Sequence, residues 1–452
     1  MTSSAAAVSR YNQNLTSALA EAEQRYIAAN PSSAKLNAEA RANLPGGNTR
    51  TTVHFSPFPL YIASGKGSRL TDVDGHSYVD FINEYTAGVF GHSNQVIAKA
   101  ITDTLARGIN FGAPTRHEIA LSAEIRKRFP AMELLRFCNS GTEANLLALA
   151  TARAATGKDA ILVFNGAYHG SLFYFSHGAS PLNMPIPVVT STYNDTDVMK
   201  RDIADNAKRL AAVIIEPMQG GAGALPAEHQ FIAALREATR QHGVLLIFDE
   251  VMTSRVHVGG LQAYFGVKPD LVTLGKYIAG GLTIGAFGGR ADLMGRFDPS
   301  KPDAFPHGGT FNNNVVAMAA GYAALTELLT ADNLNRMNAL GDDLRDRLTG
   351  LATKHKAPML VTGFGSIFGI HFHQGAARNV DDLDRGEVGR ERAIADLKKL
   401  FHLDMIAAGQ YISRRIMGNL SLETSPRETD AFAEAVEEFL VNRGSLLREA
   451  FA

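Results

Sequence analysis

The feature that most constrains this chain is a series of seven short apolar runs, most of them separated by helical patterns. They lie at Leu134–Cys138, Ala160–Phe164, Ile186–Thr190, Ala211–Ile215, Val244–Phe248, Leu271–Leu274 and Thr283–Phe287. Runs this short and apolar read as strands buried on both faces. Strands alternating with helices predict a mostly parallel sheet covered by helices on each side. The expected class is therefore α/β, with a large domain built on a seven-stranded sheet. Two runs close on polar residues: Leu245-Leu246-Ile247-Phe248 on Asp249 and Glu250, and Leu271-Val272-Thr273-Leu274 on Gly275 and Lys276. The carboxyl ends of parallel strands open onto the crevice where such sheets bind ligands. An acid and a lysine are thus expected at one edge of one sheet.

The pair Asp249 and Lys276 reads in two ways. As a strand-end salt bridge, or as two solvated termini, it is commonplace, and for the pair alone that reading leads. As a site it is more specific. An amine that attacks a carbonyl works best where burial lowers its pKa, and a buried carboxylate needs a cationic partner to offset its desolvation. Pyridoxal phosphate meets both needs, with an aldehyde for Lys276 and a ring nitrogen that a carboxylate keeps protonated.

Other strand ends carry further candidates. Asn139-Ser140-Gly141-Thr142-Glu143 follows a strand and opens a helix. A helix start with hydroxyl neighbours binds phosphate well, but Ser140-x-x-Glu143 is equally a capping box, and the motif alone is even between the two. Tyr168, in Gly166-Ala167-Tyr168-His169-Gly170, suits stacking on a flat ring, or is a turn tyrosine. Glu216 and Gln219 end another strand, as geometry-holding and ring-bonding groups or as plain cap residues. His307-Gly308-Gly309-Thr310 leads into a helix, with Thr310 a second anion donor or an N-cap neighbour. Gly363-x-Gly365 with Gly369 has the wrong spacing for a dinucleotide loop and runs into a strand pattern. No zinc-type His/Cys spacing occurs.

Around this block, residues from Leu15 to Leu44 are expected to be helical, broken by Pro45-Gly46-Gly47-Asn48. Hairpins are expected between Leu60 and Phe81, with a turn at Asp74-Gly75, and a serine-capped helix from Ser93 to Gly108. Helical patterns cover Val315–Leu328 and Leu334–His355, and the tail reads as an α+β module. The expected division is 1–69 with the small domain, 70–335 as the large domain, and 336–452 as the rest of the small domain. A net charge of −1 gives no reason to expect nucleic acid or an acidic membrane surface. The single cysteine, Cys138, excludes an internal disulfide framework and fits a reducing compartment. No apolar stretch approaches the roughly 20 residues that span a bilayer. The start, Met1 to Asn30, reads as mature protein, and the cytoplasm is the expected location.

Taken in order, five segments are together specific: Asn139-Ser140-Gly141-Thr142-Glu143-Ala144, Tyr168-His169-Gly170, Glu216-Pro217-Met218-Gln219-Gly220, Phe248-Asp249-Glu250-Val251 and Gly275-Lys276. Over nearly the whole chain they resemble the class III, fold-type I pyridoxal-phosphate aminotransferases. That resemblance implies Lys276 as the lysine that binds the cofactor's aldehyde and later moves the proton. It implies Asp249 on the pyridinium nitrogen, Tyr168 on the ring, and Ser140, Gly141 and Thr142 on the phosphate. It also implies a homodimer with shared sites, in which Thr310 reaches the phosphate of the other subunit. Arg50 looks like the carboxylate-binding arginine shared by glutamate-1-semialdehyde aminomutases and β-phenylalanine-type aminotransferases. Glu84 to Gly88, Asp249 to Arg255 and Gly309 to Asn314 look closer to the β-amino acid enzymes. Arg415, or its neighbour Arg414, falls where those enzymes carry another carboxylate-handling residue, although Ile416-Met417-Gly418-Asn419 departs from their pattern. The implied activity is transfer of an amine from a 3-aryl or 3-alkyl 3-aminopropanoate to a 2-oxo acid such as 2-oxoglutarate or pyruvate. The alternatives are amine transfer within one substrate, as in the aminomutases, and a non-catalytic binding module. Retention of both Lys276 and Asp249 argues against the last.

Overall fold

The computed structural model describes residues 14–176 and 178–452. The first part of the segment read as mature protein, residues 1–13, lies outside the described residues. At the centre is a seven-stranded sheet in the order Leu134–Cys138, Gly285–Gly289, Leu271–Gly275, Leu245–Asp249, Leu210–Ile215, Ala160–Phe164, Val188–Ser191. Each expected run became a strand, with ends shifted by no more than two residues. All neighbours are parallel except Gly285–Gly289, which runs antiparallel to both of its partners. The reason is length. Between Gly275 and Gly285 there is only the short turn Lys276–Ala279, too little chain for a parallel crossover.

The two faces follow from period-two alternation. Ile161, Val163, Ala212 and Ile214 point into one cluster with Ala144, Ala148, Leu149 and Ala152 of helix Gly141–Thr156. Ala160, Leu162, Phe164, Val213 and Ile215 point into the other with Phe231, Ile232 and Leu235 of helix His229–Gln241. Each Val, Leu, Ile or Phe among them contributes about 1.5–3 kcal/mol on burial. The sheet that positions Asp249 and Lys276 is thus held by apolar cores on both sides.

A second layer joins the two ends of the chain. Strands Ile62–Lys66, Arg69–Asp72 and Ser77–Asp80 form an antiparallel meander, and Gln410–Tyr411 adds to it in parallel, Gln410 against Val79. A three-stranded sheet combines Met359–Phe364, Ile367–Phe372 and Met417–Asn419. The division expected after residue 69 therefore falls inside a strand of the meander. Two local expectations are corrected. The helix from Leu15 to Leu44 is two helices, Leu15–Ala29 and Pro31–Ala40, because Asn30 leaves helical geometry (φ −126°, ψ 52°) ahead of a proline that has no N–H to continue the ladder. The later helix spans Gln95–Leu105 and is capped by Asn94, whose side chain accepts from Val96 and Ile97, while Ser93 lies in the turn before it. Among the described residues no single helix is long and apolar enough to cross a membrane.

Candidate active site

Strand register sets the centre of the site. Phe248 pairs with Val272 and Asp249 with Thr273, so Asp249 stands beside the strand that leads directly to Lys276. Asp249 is buried and held from three directions. Its Oδ2 accepts from Asn145 Nδ2 at 2.7 Å and lies 2.8 Å from His169 Nδ1; its Oδ1 accepts from the Val251 N–H at 3.1 Å. The orientation of Asn145 is fixed in turn, since its Oδ1 accepts from Thr273 Oγ1 at 2.6 Å. A carboxylate with this many donors is held in one orientation.

Lys276 follows the neighbouring strand with a left-handed backbone, φ 55°. Its side chain is half-buried, and removal from water pushes the amine below its usual range; the nearby Asp249 and Glu216 carboxyls oppose that shift, while Arg255 adds to it. Glu216 is buried opposite, and burial pushes its carboxyl up to about 7. Its oxygens accept from the Tyr168 N–H at 2.9 Å and the Gly220 N–H at 3.0 Å, so it ties two of the predicted motifs together.

Ser140, Gly141, Thr142, Tyr168 and Gln219 lie at the same edge. Ser140 caps helix Gly141–Thr156, its Oγ accepting from the Glu143 N–H at 3.1 Å, and Glu143 accepts from the Asn139 N–H at 2.7 Å. The stabilising cap is therefore real. It also leaves the N–H groups of Gly141 and Thr142 without an intrahelical acceptor. A Cβ on Gly141 would sit 2.8 Å from Val251 Cγ1, and one on Gly275 only 3.3 Å from the Gly141 Cα. These glycines let the helix start close onto the residue before Lys276. Gly170, at φ 109°, likewise brings the Tyr168-His169-Gly170 turn against Thr142. The ring of Tyr168 is exposed and meets Tyr174 edge-on with centroids 5.6 Å apart. Gln219 donates to the Asn165 carbonyl at 2.8 Å, while its buried Oε1 has no partner among the described residues. Thr310 is exposed, in a loop whose Asn312 accepts from Asn139 Nδ2 at 3.0 Å.

The arginines lie apart from this cluster. Arg50 and Arg414 line a cavity of about 380 Å³ together with Glu84, Tyr85 and Tyr411, and neither Lys276 nor Asp249 lines it. Arg50 is ion-paired with Glu84. Arg414 and Arg415 are both exposed; Arg415 acts on the Tyr85 hydroxyl through its charge. Tyr85 connects the two regions by packing on the apolar cluster of Met218, Met252 and Met417. Among the described residues no group of His, Cys, Asp and Glu is placed to hold a metal ion.

Comparison with known proteins follows the same lines. The aminotransferase class-III family profile matches residues 51–400. The β-phenylalanine transaminase of Variovorax paradoxus is 44% identical over 434 residues, covering 96% of this chain and 98% of that protein. The solved structure of a β-phenylalanine aminotransferase from the same organism superposes with a TM-score of 0.92 at 42% identity, over 95% of this chain and 98% of the other. A glutamate-1-semialdehyde aminomutase from Pseudomonas aeruginosa gives 0.87 at 26% identity, over 96% and 98%. The chain belongs to the class III aminotransferases.

Members of this family depend on pyridoxal phosphate, and the residues of this aminotransferase fit that group. An amine held below its usual range and a fixed carboxylate stand on adjacent strands. A helix start offers free N–H groups, and a buried amide oxygen, Gln219 Oε1, lacks a partner among the described residues. Sequence reasoning gave no role to His169, Asn145 and Thr273, which orient Asp249. One signal was present for Asn145: it is a polar residue on the otherwise alanine-rich buried face of its helix. His169 lay inside a quoted motif, but nothing in the sequence tied it to Asp249.

Proposed function

We propose that this class III aminotransferase moves the amino group of a β-amino acid, a 3-aryl or 3-alkyl 3-aminopropanoate, to a 2-oxo acid such as 2-oxoglutarate or pyruvate by a ping-pong mechanism. The observation that carries the chemistry is the pairing of Lys276, its amine pushed below the usual range, with the thrice-held Asp249 on the neighbouring strand. The substrate class is supported by the likeness to β-phenylalanine transaminase and by two arginines around one cavity.

In this reading pyridoxal phosphate supplies an aldehyde for the incoming amine and a pyridinium ring that withdraws electron density from the substrate carbon. Lys276 Nζ, whose amine burial pushes below its usual range, would hold the cofactor's aldehyde and would be the group that moves the proton of the substrate carbon. Asp249, aimed by Asn145, His169 and the Val251 N–H, would hold the positive charge on the ring nitrogen. The N–H groups of Gly141 and Thr142 and the Ser140 hydroxyl hold the phosphate at the positive end of their helix. Gln219 Oε1 would accept from the ring hydroxyl, Glu216 keeps the Tyr168 and Gly220 backbones in place, and Tyr168 would stack on the ring. Arg50, with Arg414 or Arg415, receives the substrate carboxylates through paired bonds.

The working unit in this reading is a homodimer with Thr310 lent to the other subunit's phosphate. It is supported by a surface on which Ile109, Phe111 and Phe311 are all exposed, on two segments joined by the Asn314 to Asn110 and Asn313 to Ala113 hydrogen bonds. A cytoplasmic setting is supported by the lone cysteine, Cys138, buried and with its thiol pushed up to about 12 by burial. The test is consumption of 3-amino-3-phenylpropanoate with and without 2-oxoglutarate or pyruvate. Acceptor-dependent consumption is expected. Consumption with no acceptor, yielding an isomer, overturns transamination in favour of the aminomutase reading that the likeness to glutamate-1-semialdehyde aminomutase keeps in view.

A further inference from the structure

Four consecutive residues without glycine, Asn83 to Thr86, have left-handed backbones, at φ 41°, 50°, 51° and 81°. Side chains disfavour this region one residue at a time, and a run of four is held only where its surroundings over-determine it. The anchors are visible. Asn83 Nδ2 donates to the carbonyls of Asp80 at 2.8 Å and Asn419 at 2.7 Å, and its N–H donates to Asp80 Oδ1 at 2.9 Å. The fully buried Arg255 donates from Nη1 to the Thr86 carbonyl at 3.1 Å. Gly88 closes on Asn83 so tightly that a Cβ there would lie 3.0 Å from its carbonyl. Both ends of the run are thus fixed, and what they force outward is its middle. Tyr85 donates to the Thr52 carbonyl, and Glu84 pairs with Arg50.

That pair is open to solvent, with side chains 48% and 58% exposed, and borders the cavity of about 380 Å³ that Arg414 also lines. An ion pair this exposed is weak and easily exchanged. The arrangement therefore spends strained backbone on delivering a weak carboxylate to an arginine that already faces a ligand-sized cavity. We propose that Glu84 is a specificity residue: it is the resident counter-ion of Arg50 and yields the guanidinium only to a competing carboxylate. A substrate carrying a carboxylate replaces Glu84 one charge for one, whereas an uncharged substrate of the same shape leaves Arg50 with Glu84 and gains nothing there. This rests on Arg50 as the group that receives the substrate carboxylate.

The experiment is titration calorimetry of the holoenzyme with two amine-free probes, 3-phenylpropanoate and its uncharged amide, 3-phenylpropanamide. Glu84→Gln is expected to tighten binding of the carboxylate by about two- to fivefold, the scale of an exposed ion pair, with the amide changing much less. Equal changes for both probes, or no change for the carboxylate, overturn the proposal. Arg50→Gln separates this failure from that of the underlying reading. If 3-phenylpropanoate binds Arg50→Gln as tightly as the native enzyme, the carboxylate reading of Arg50 falls and Glu84 with it. If Arg50→Gln weakens the carboxylate while Glu84→Gln does not tighten it, only the counter-ion role of Glu84 falls. Should Glu84→Gln fail to fold, Glu84→Asp answers the same question, because aspartate tolerates left-handed backbone and withdraws the carboxylate by one methylene.

Discussion

Asp249 and Arg50 are two charged groups of the proposed site, yet they are held in opposite ways. Asp249 is buried at the end of a central strand, fixed by Asn145, His169 and the Val251 N–H. Arg50 is half exposed on a loop, paired with one carboxylate that a strained turn presents to it. The first arrangement suits a charge that must not move while chemistry proceeds; preorganised groups in a desolvated site cost no reorganisation in the transition state. The second suits a charge that exchanges partners, as the proposed recognition of substrate carboxylates requires. Fixed chemistry and exchangeable recognition thus occupy different layers, joined through Tyr85 and the methionine cluster beneath it.

That contrast is sharpest at Lys276. Lys276→Ala is expected to lower turnover on the order of 10⁴-fold or more while the chain still folds, since in the proposed mechanism Lys276 acts on both cofactor and proton. Circular dichroism and steady-state rates check the two halves of that statement. Asp249→Asn keeps the shape but removes the charge and sets an NH2 donor where one carboxylate oxygen accepts from an N–H group. It should cost on the order of 10²–10³-fold in kcat with little change in KM for the amine donor. Arg50→Gln should show the reverse, raising KM for carboxylate substrates by about 10–150-fold with a smaller effect on kcat. A kcat loss at Arg50, or a KM effect alone at Asp249, breaks the division between the layers.

A smaller effect concerns pH. An ordinary lysine gains free base about tenfold per pH unit until pH passes its pKa. Desolvation has lowered that of Lys276. The rate at which the apoenzyme takes up pyridoxal phosphate should therefore rise with pH and level off below the usual lysine range. A rate still climbing tenfold per unit toward pH 10 contradicts the assignment.

Much of this architecture was legible in the sequence because it depends on local pattern. The runs at Ala160–Phe164 and Leu245–Asp249 are too apolar and too short to be anything but buried strands, and Gly275-Lys276 directly follows one. What pattern does not carry is distance. Asn145 and Asp249, or His169 and Asp249, meet only through the stacking of a helix and a turn over the sheet, and Glu84 meets Arg50 only because Asn83 is anchored to Asn419 near the other end of the chain. The break at Asn30 was readable, since Pro31 follows it and a proline cannot continue the hydrogen-bond ladder of the preceding helix. The cap at Asn94 was lost to a serine one residue earlier that lies in left-handed geometry, which sequence alone does not reveal.

The central claim is that the Lys276 and Asp249 pair, served by Arg50, takes the amine from a β-amino acid. Its most direct test is the absorbance of the purified holoenzyme after addition of 3-amino-3-phenylpropanoate with no 2-oxo acid present. Conversion of the bound cofactor's band to that of the pyridoxamine form, in proportion to enzyme and absent in Lys276→Ala, is the predicted result. A cofactor band that stays unchanged at saturating amine would contradict it.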